Sequence, residues 1–92
     1  MDPAELAREL VELAEAAGLE VRPIRASEGR EAELTASSGI CRVRGEIWVL
    51  LAASDSVEEQ ISVLVRALKT HAADFLESRY LPPAVRNRLA AR

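Results

Sequence analysis

The stretch "GICRVRGEIWVLLAA", Gly39 to Ala53, decides the fold. Cys41 and Val43 alternate with Arg42 and Arg44, a tight turn falls at Arg44-Gly45-Glu46, and Ile47 to Ala52 is almost wholly apolar. This is the pattern of a β-hairpin. A strand as apolar as the second one is buried on both faces, or has one face on helices and the other on a partner. With Ile47, Val49 and Leu51 facing helices, Trp48 and Leu50 turn to the opposite face. On a two-layer monomer that face is open, and an open apolar patch marks an interface. Trp48 and Leu50, with the flanking Arg42 and Arg44, are therefore the candidate interface residues.

Upstream, Asp2 is a good N-cap, Pro3 suits the first helical position, and Glu5 follows the cap by three residues. Leu6, Leu10, Leu13 and Ala17 then repeat at helical spacing, with Ala7, Val11 and Ala14 widening the stripe, and Gly18 ends the helix. "LEVRPI" alternates Leu19 and Val21 inward with Glu20 and Arg22 outward, a short strand that Pro23 assigns to a sheet edge. The polar run from Arg25 to Ser38 has no period and reads as a flexible surface loop, with a strand fragment around Glu33 to Thr35 as the alternative.

Downstream of the hairpin, "SVEEQISVLVRALKTH" opens with the capping-box pair Ser56 and Glu59. Its expected buried stripe is Val57, Ile61, Leu64, Leu68, Ala72 and Phe75, with Val65 alongside. "RYLPP" breaks the run, and Pro82 or Pro83 starts a last helix with Val85 and Leu89 inward. The order α-β-β-β-α-α predicts a single α+β domain over residues 1–92: a small, mainly antiparallel sheet of three strands with helices on one face.

Composition narrows the function. The chain has 92 residues, 49% of them hydrophobic, which suffices for one core and at most one site. A domain of this size buries roughly 60% of its unfolded surface, so association with a second copy would help it. Three aromatics, Trp48, Phe75 and Tyr80, make poor stacking platforms for single-stranded nucleic acid. The single cysteine, Cys41, excludes an internal disulfide and a multi-thiolate zinc site, and suits a reducing cytoplasm. No segment approaches the ~20 apolar residues of a membrane helix, and the acidic, proline-bearing start is unlike a secretory signal. We expect a cytoplasmic protein without a membrane partner. The net charge is −3, with −5 on residues 1–33 and +2 on residues 34–92. An acidic total opposes nucleic acid as main partner. Arg86, Arg88 and Arg92, with Arg79 upstream, read first as favouring a helix dipole, and only second as phosphate contacts.

Across residues 4 to 75 the order of elements resembles the N-terminal part of the ImmA/IrrE-type metallopeptidase family. The likeness lies in "AAGLEVRPI", a polar loop, and then "SGICRVRGEIWVLLAASDSVEEQISVLVRAL". "SVEEQISVLVRALKT" falls without a gap on the family's active helix. The resemblance implies a zincin-like sheet with that helix packed on it, and a zinc held by the two His of HExxH with Glu as general base. Carried onto this chain, the first His falls on Arg66, the Glu on Ala67 and the second His on Thr70. No ligand and no base is present, so no metal, cofactor or catalytic residue is expected.

The remaining polar features read as structure. His71, the one histidine, sits at the edge of the helical stripe as a boundary residue. Cys41 reads as a small inward-facing core residue. "TASSG" lacks the Lys and glycine spacing of a phosphate loop and reads as a solvated turn. The expected function is a small non-catalytic interaction domain that self-associates through the outer face or edge of its sheet. Two alternatives stand beside it: a reduced zinc peptidase using His71 with Glu77 or Asp74, and weak nucleic-acid binding by the C-terminal Arg helix.

Overall fold

A computed structural model describes residues 1–24 and 38–91. The expected flexible loop thus lies outside the described residues except for Ser38, and so does the strand fragment around Glu33. The first helix, α1, runs Pro3–Ala16, with the Asp2 side chain accepting from the Ala4 N–H at 3.1 Å. It buries Leu6, Leu10, Leu13 and Ala14. Its end is a Schellman motif: Gly18, at φ +93°, donates to the Glu15 carbonyl, and Leu19 donates to the Ala14 carbonyl, each at 3.0 Å. Gly18 takes the left-handed step without a Cβ penalty, and the reversal feeds the buried Leu19 directly into the first strand.

Three strands follow: β1 Glu20–Ile24, β2 Gly39–Val43 and β3 Glu46–Ala52. They form one sheet in the order β1-β3-β2. Strands β2 and β3 are the expected antiparallel hairpin, with Cys41 opposite Trp48 and Val43 opposite Glu46. The turn between them is Arg44-Gly45, with φ of 51° and 83°. Two successive left-handed residues make the type I′ geometry whose twist matches a hairpin, and glycine takes its position freely. Strand β1 joins the other side of β3 in parallel, Glu20 opposite Trp48 and Arg22 opposite Leu50. The fold is α+β with a mixed sheet.

The second helix, α2, spans Val57–His71 and begins in a complete capping box. The Glu59 N–H donates to Ser56 Oγ at 3.1 Å, and the Ser56 N–H donates to Glu59 Oε1 at 3.0 Å. Ile61, Leu64 and Leu68 are buried as their spacing predicts, and Ala67 joins them. Val57 departs from the expected stripe: at 39% exposure, as the first residue of the helix, it lies outside the core. The helix also stops earlier than expected. Ala72 has φ −141° and ψ 29°, which breaks the helical run before the short α3, Ala73–Glu77. The last helix, α4, covers Pro83–Ala90 and buries Val85 and Leu89. It is tied to α2 by Arg88 on Glu58 at 2.7 Å and by Lys69 Nζ donating to the Ala91 carbonyl at 3.2 Å.

Helices α1 and α2 pack on each other and on one face of the sheet. Leu10, Val49, Ile61, Leu64, Leu68 and Val85 are the largest fully buried side chains. Burying each contributes roughly 1.5–3 kcal/mol against leaving it in water, so the core between α1, α2 and the Val49 face dominates stability. None of the described residues buries a charged side chain in it.

Candidate interaction surface

Strand registers sort the side chains of the sheet onto two faces. Val21, Ile40, Ile47, Val49 and Leu51 share the face under the helices and belong to the core or pack against it. On the opposite face, residues paired across the strands form rows. One row is Glu20, Trp48 and Cys41; the next is Arg22, Leu50 and Gly39; Glu46 and Val43 flank the first. Trp48, Leu50, Cys41 and Val43 are half-buried and stand outside the core cluster. They make an apolar strip across the face on which no helix among the described residues lies.

Trp48 sits at the centre of this strip under polar cover. The Arg22 guanidinium lies 4.6 Å from the indole centroid, in cation–π range. Arg22 is held there by Glu20 at 2.7 Å. The indole N–H reaches Glu46 Oε1 at 3.5 Å, so its polar tip turns to the sheet margin. Beside it Val43, Arg44, Glu46 and Trp48 line an open depression of about 460 Å³. The charged side chains round the ring reach solvent, while the apolar strip beneath them is built into the sheet.

Of the four residues expected at the interface, the structure brings Trp48 and Leu50 together on this face. Arg42 stands opposite Ile47, on the helix side of the sheet, with its side chain exposed. Arg44 is in the hairpin turn, next to the depression under Trp48. Cys41 is a correction: it lies on the outer face beside Trp48, and its hairpin neighbour Ile40 takes the core-facing position. The expectation rested on placing the apolar member of each pair inward. It failed because the outer face is itself apolar. Val43 joins the surface by the same register.

The start of β2 is pinned by a polar clasp that no local motif announces. The Ser38 N–H donates to Asp55 Oδ2 at 2.7 Å, and the Ala52 N–H donates to Ser38 Oγ at 2.9 Å. The Ser38 backbone donor, and then its hydroxyl, hold the Asp55 carboxyl below the ordinary aspartate value of 3.8. Gln60 reaches back from α2 to the Ala52 carbonyl at 2.8 Å.

The helix positions singled out by the metallopeptidase resemblance are divided by the fold. Ala67 is sealed in the core, whereas Arg66 and Thr70 are exposed and line a groove of about 360 Å³ with Lys69 and Arg88 between α2 and α4. The base position and the two ligand positions therefore look in different directions. His71 and Asp74 share a shallow depression at the end of α2, which Glu77 does not line. Among the described residues no three His, Cys, Asp or Glu side chains converge as metal ligands do. No helix among them is long and apolar enough to cross a membrane.

No family model, curated protein or solved structure matches the chain.

Proposed function

We propose that the chain is a small, non-catalytic protein–protein interaction domain that self-associates through its sheet, on a degenerate zincin-like fold lacking the HExxH residues. The observation that carries this reading is the half-buried apolar strip of Trp48, Leu50, Cys41 and Val43, over which no helix among the described residues lies, opposite the face on which the helices pack. Among the described residues, the helices that touch the sheet all pack on one side of it. Joining a second copy at the sheet removes apolar surface from water at roughly 25 cal/mol per Å². The aromatic at the centre with charged residues at the rim has the composition of an interface core and its surround. On this reading the protein works in the cytoplasm and takes no cofactor.

Sedimentation velocity from micromolar to hundreds of micromolar tests the reading. Wild type is expected to shift from monomer to dimer over that range, and Trp48→Glu to remain monomeric with an unchanged circular dichroism spectrum. A wild-type chain that stays monomeric throughout would refute it.

A further inference from the structure

The two edges of the sheet differ in what they can accept. In β1 the Ile24 carbonyl accepts from the Ala53 N–H at 3.0 Å, so Ile24 and the residues in step with it turn their backbone groups toward β3. Pro23, out of step, faces outward, and it has no N–H to offer. That edge is interrupted in its middle. In the β2–β3 hairpin a two-residue turn makes Val43 and Glu46 a hydrogen-bonded pair, so Cys41 and Gly39 also turn their backbone groups to β3. Ile40 and Arg42 point theirs away, and no described strand lies beyond them. This edge is whole, and it is the kind that recruits another strand.

Resting on the self-association proposed above, we infer that two copies join through their β2 strands, antiparallel about a two-fold axis at Cys41, into one six-stranded sheet. Only this register pairs all five residues of β2: Ile40 exchanges both hydrogen bonds with Arg42 of the second copy, Gly39 faces Val43, and Cys41 faces Cys41. Three features of the chain fit it. Gly39 leaves open space on the outer face, with nothing among the described residues within 4 Å of where a Cβ would stand, so the incoming Val43 can lie over it toward Leu50. The position beyond Val43 brings the exposed Arg44 of one copy to Ser38 of the other, where the Asp55 carboxylate is held 2.7 Å from the Ser38 N–H. Positive charge thus meets negative at both ends of the joint. Finally, Arg42 lies across from Ile40 and not from another arginine, so like charges are not opposed. The joined sheet carries Trp48, Cys41, Cys41 and Trp48 in one continuous row on its outer face.

A cysteine pair at the two-fold is a non-hydrogen-bonded antiparallel pair, with Cα atoms about 4.5 Å apart, within the span a disulfide bridges. Oxidation of the full chain with diamide, which takes up the two electrons and two protons released by the two thiols, is expected to give a Cys41–Cys41 dimer in high yield at micromolar protein. Cys41→Ser gives none. Arg42→Pro removes the outward N–H and leaves the bonds of β2 to β3 intact, as Pro23 does on the other edge. It is expected to weaken the dimer about tenfold or more, since one hydrogen bond is lost from each copy. Wild-type dimer that resists cross-linking, or that Arg42→Pro leaves unchanged, overturns the strand pairing and leaves self-association by face-to-face stacking. A chain that is monomeric at every concentration overturns both. The cross-link on wild type needs no variant, so it stands even where Arg42→Pro fails to fold.

Discussion

The two faces of this sheet are built from similar residues and serve different ends. Val49 and Trp48 are neighbours in β3, yet Val49 is wholly excluded from solvent in the core while Trp48 is half-buried, with the exposed Arg22 side chain over its ring. A strand with apolar residues on both sides is ordinarily sandwiched. Among the described residues only one side has helices, and the difference separates residues that hold the fold from residues placed to meet another molecule.

Substitution can break this contrast in graded steps. The largest effect is expected from Val49→Asp, which places an unpaired charge in the core and leaves the chain unfolded by circular dichroism at 25 °C. Leu64→Ala, next, removes a fully buried side chain of α2 and should lower stability by about 2–5 kcal/mol in urea titration. Ser56→Ala should cost about 1 kcal/mol, because it removes the Oγ that accepts from the Glu59 N–H at the start of α2. Trp48→Glu, on the other face, should leave the monomer's unfolding midpoint nearly unchanged. A core-sized loss there would mean that Trp48 belongs to the fold after all.

The smallest effect is one of pH. Glu58, hydrogen-bonded by Arg88, and Asp55, bonded by the Ser38 N–H, both have carboxyls held below their ordinary values. A depressed carboxyl in the folded state contributes stability above the ordinary carboxylate range, and that contribution disappears as pH falls through the folded value. Denaturant midpoints should therefore fall slightly on acidification below about pH 4.5. The double variant Asp55→Asn, Glu58→Gln should flatten that part of the slope, and an unchanged slope would show that other carboxylates carry it.

Much of the fold was legible because local chemistry agreed with it. Asp2-Pro3 and Gly18 mark the limits of α1, Ser56 and Glu59 start α2, and Arg44-Gly45 closes the hairpin, each through a bond or dihedral set by nearby residues. What escaped was non-local. The parallel pairing of β1 with β3 depends on where a long connection returns the chain, which periodicity does not record. The break at Ala72 has no Gly or Pro to announce it. At the candidate surface, Trp48 and Leu50 were readable from the run in β3. Cys41 and Val43 were not, because alternation gives the period of a strand and its phase comes only from the partner. The Ser38–Asp55 clasp joins residues 17 apart, from two loops, and had no motif to reveal it.

Equilibrium sedimentation of wild type beside Trp48→Glu, at concentrations spanning micromolar to hundreds of micromolar, tests most directly whether the outer face of the sheet is the working surface. Self-association through the sheet predicts a wild-type mass that rises toward twice that of the chain and a variant that remains at one chain mass with the same unfolding midpoint. A single chain mass for both proteins over the whole range would contradict it.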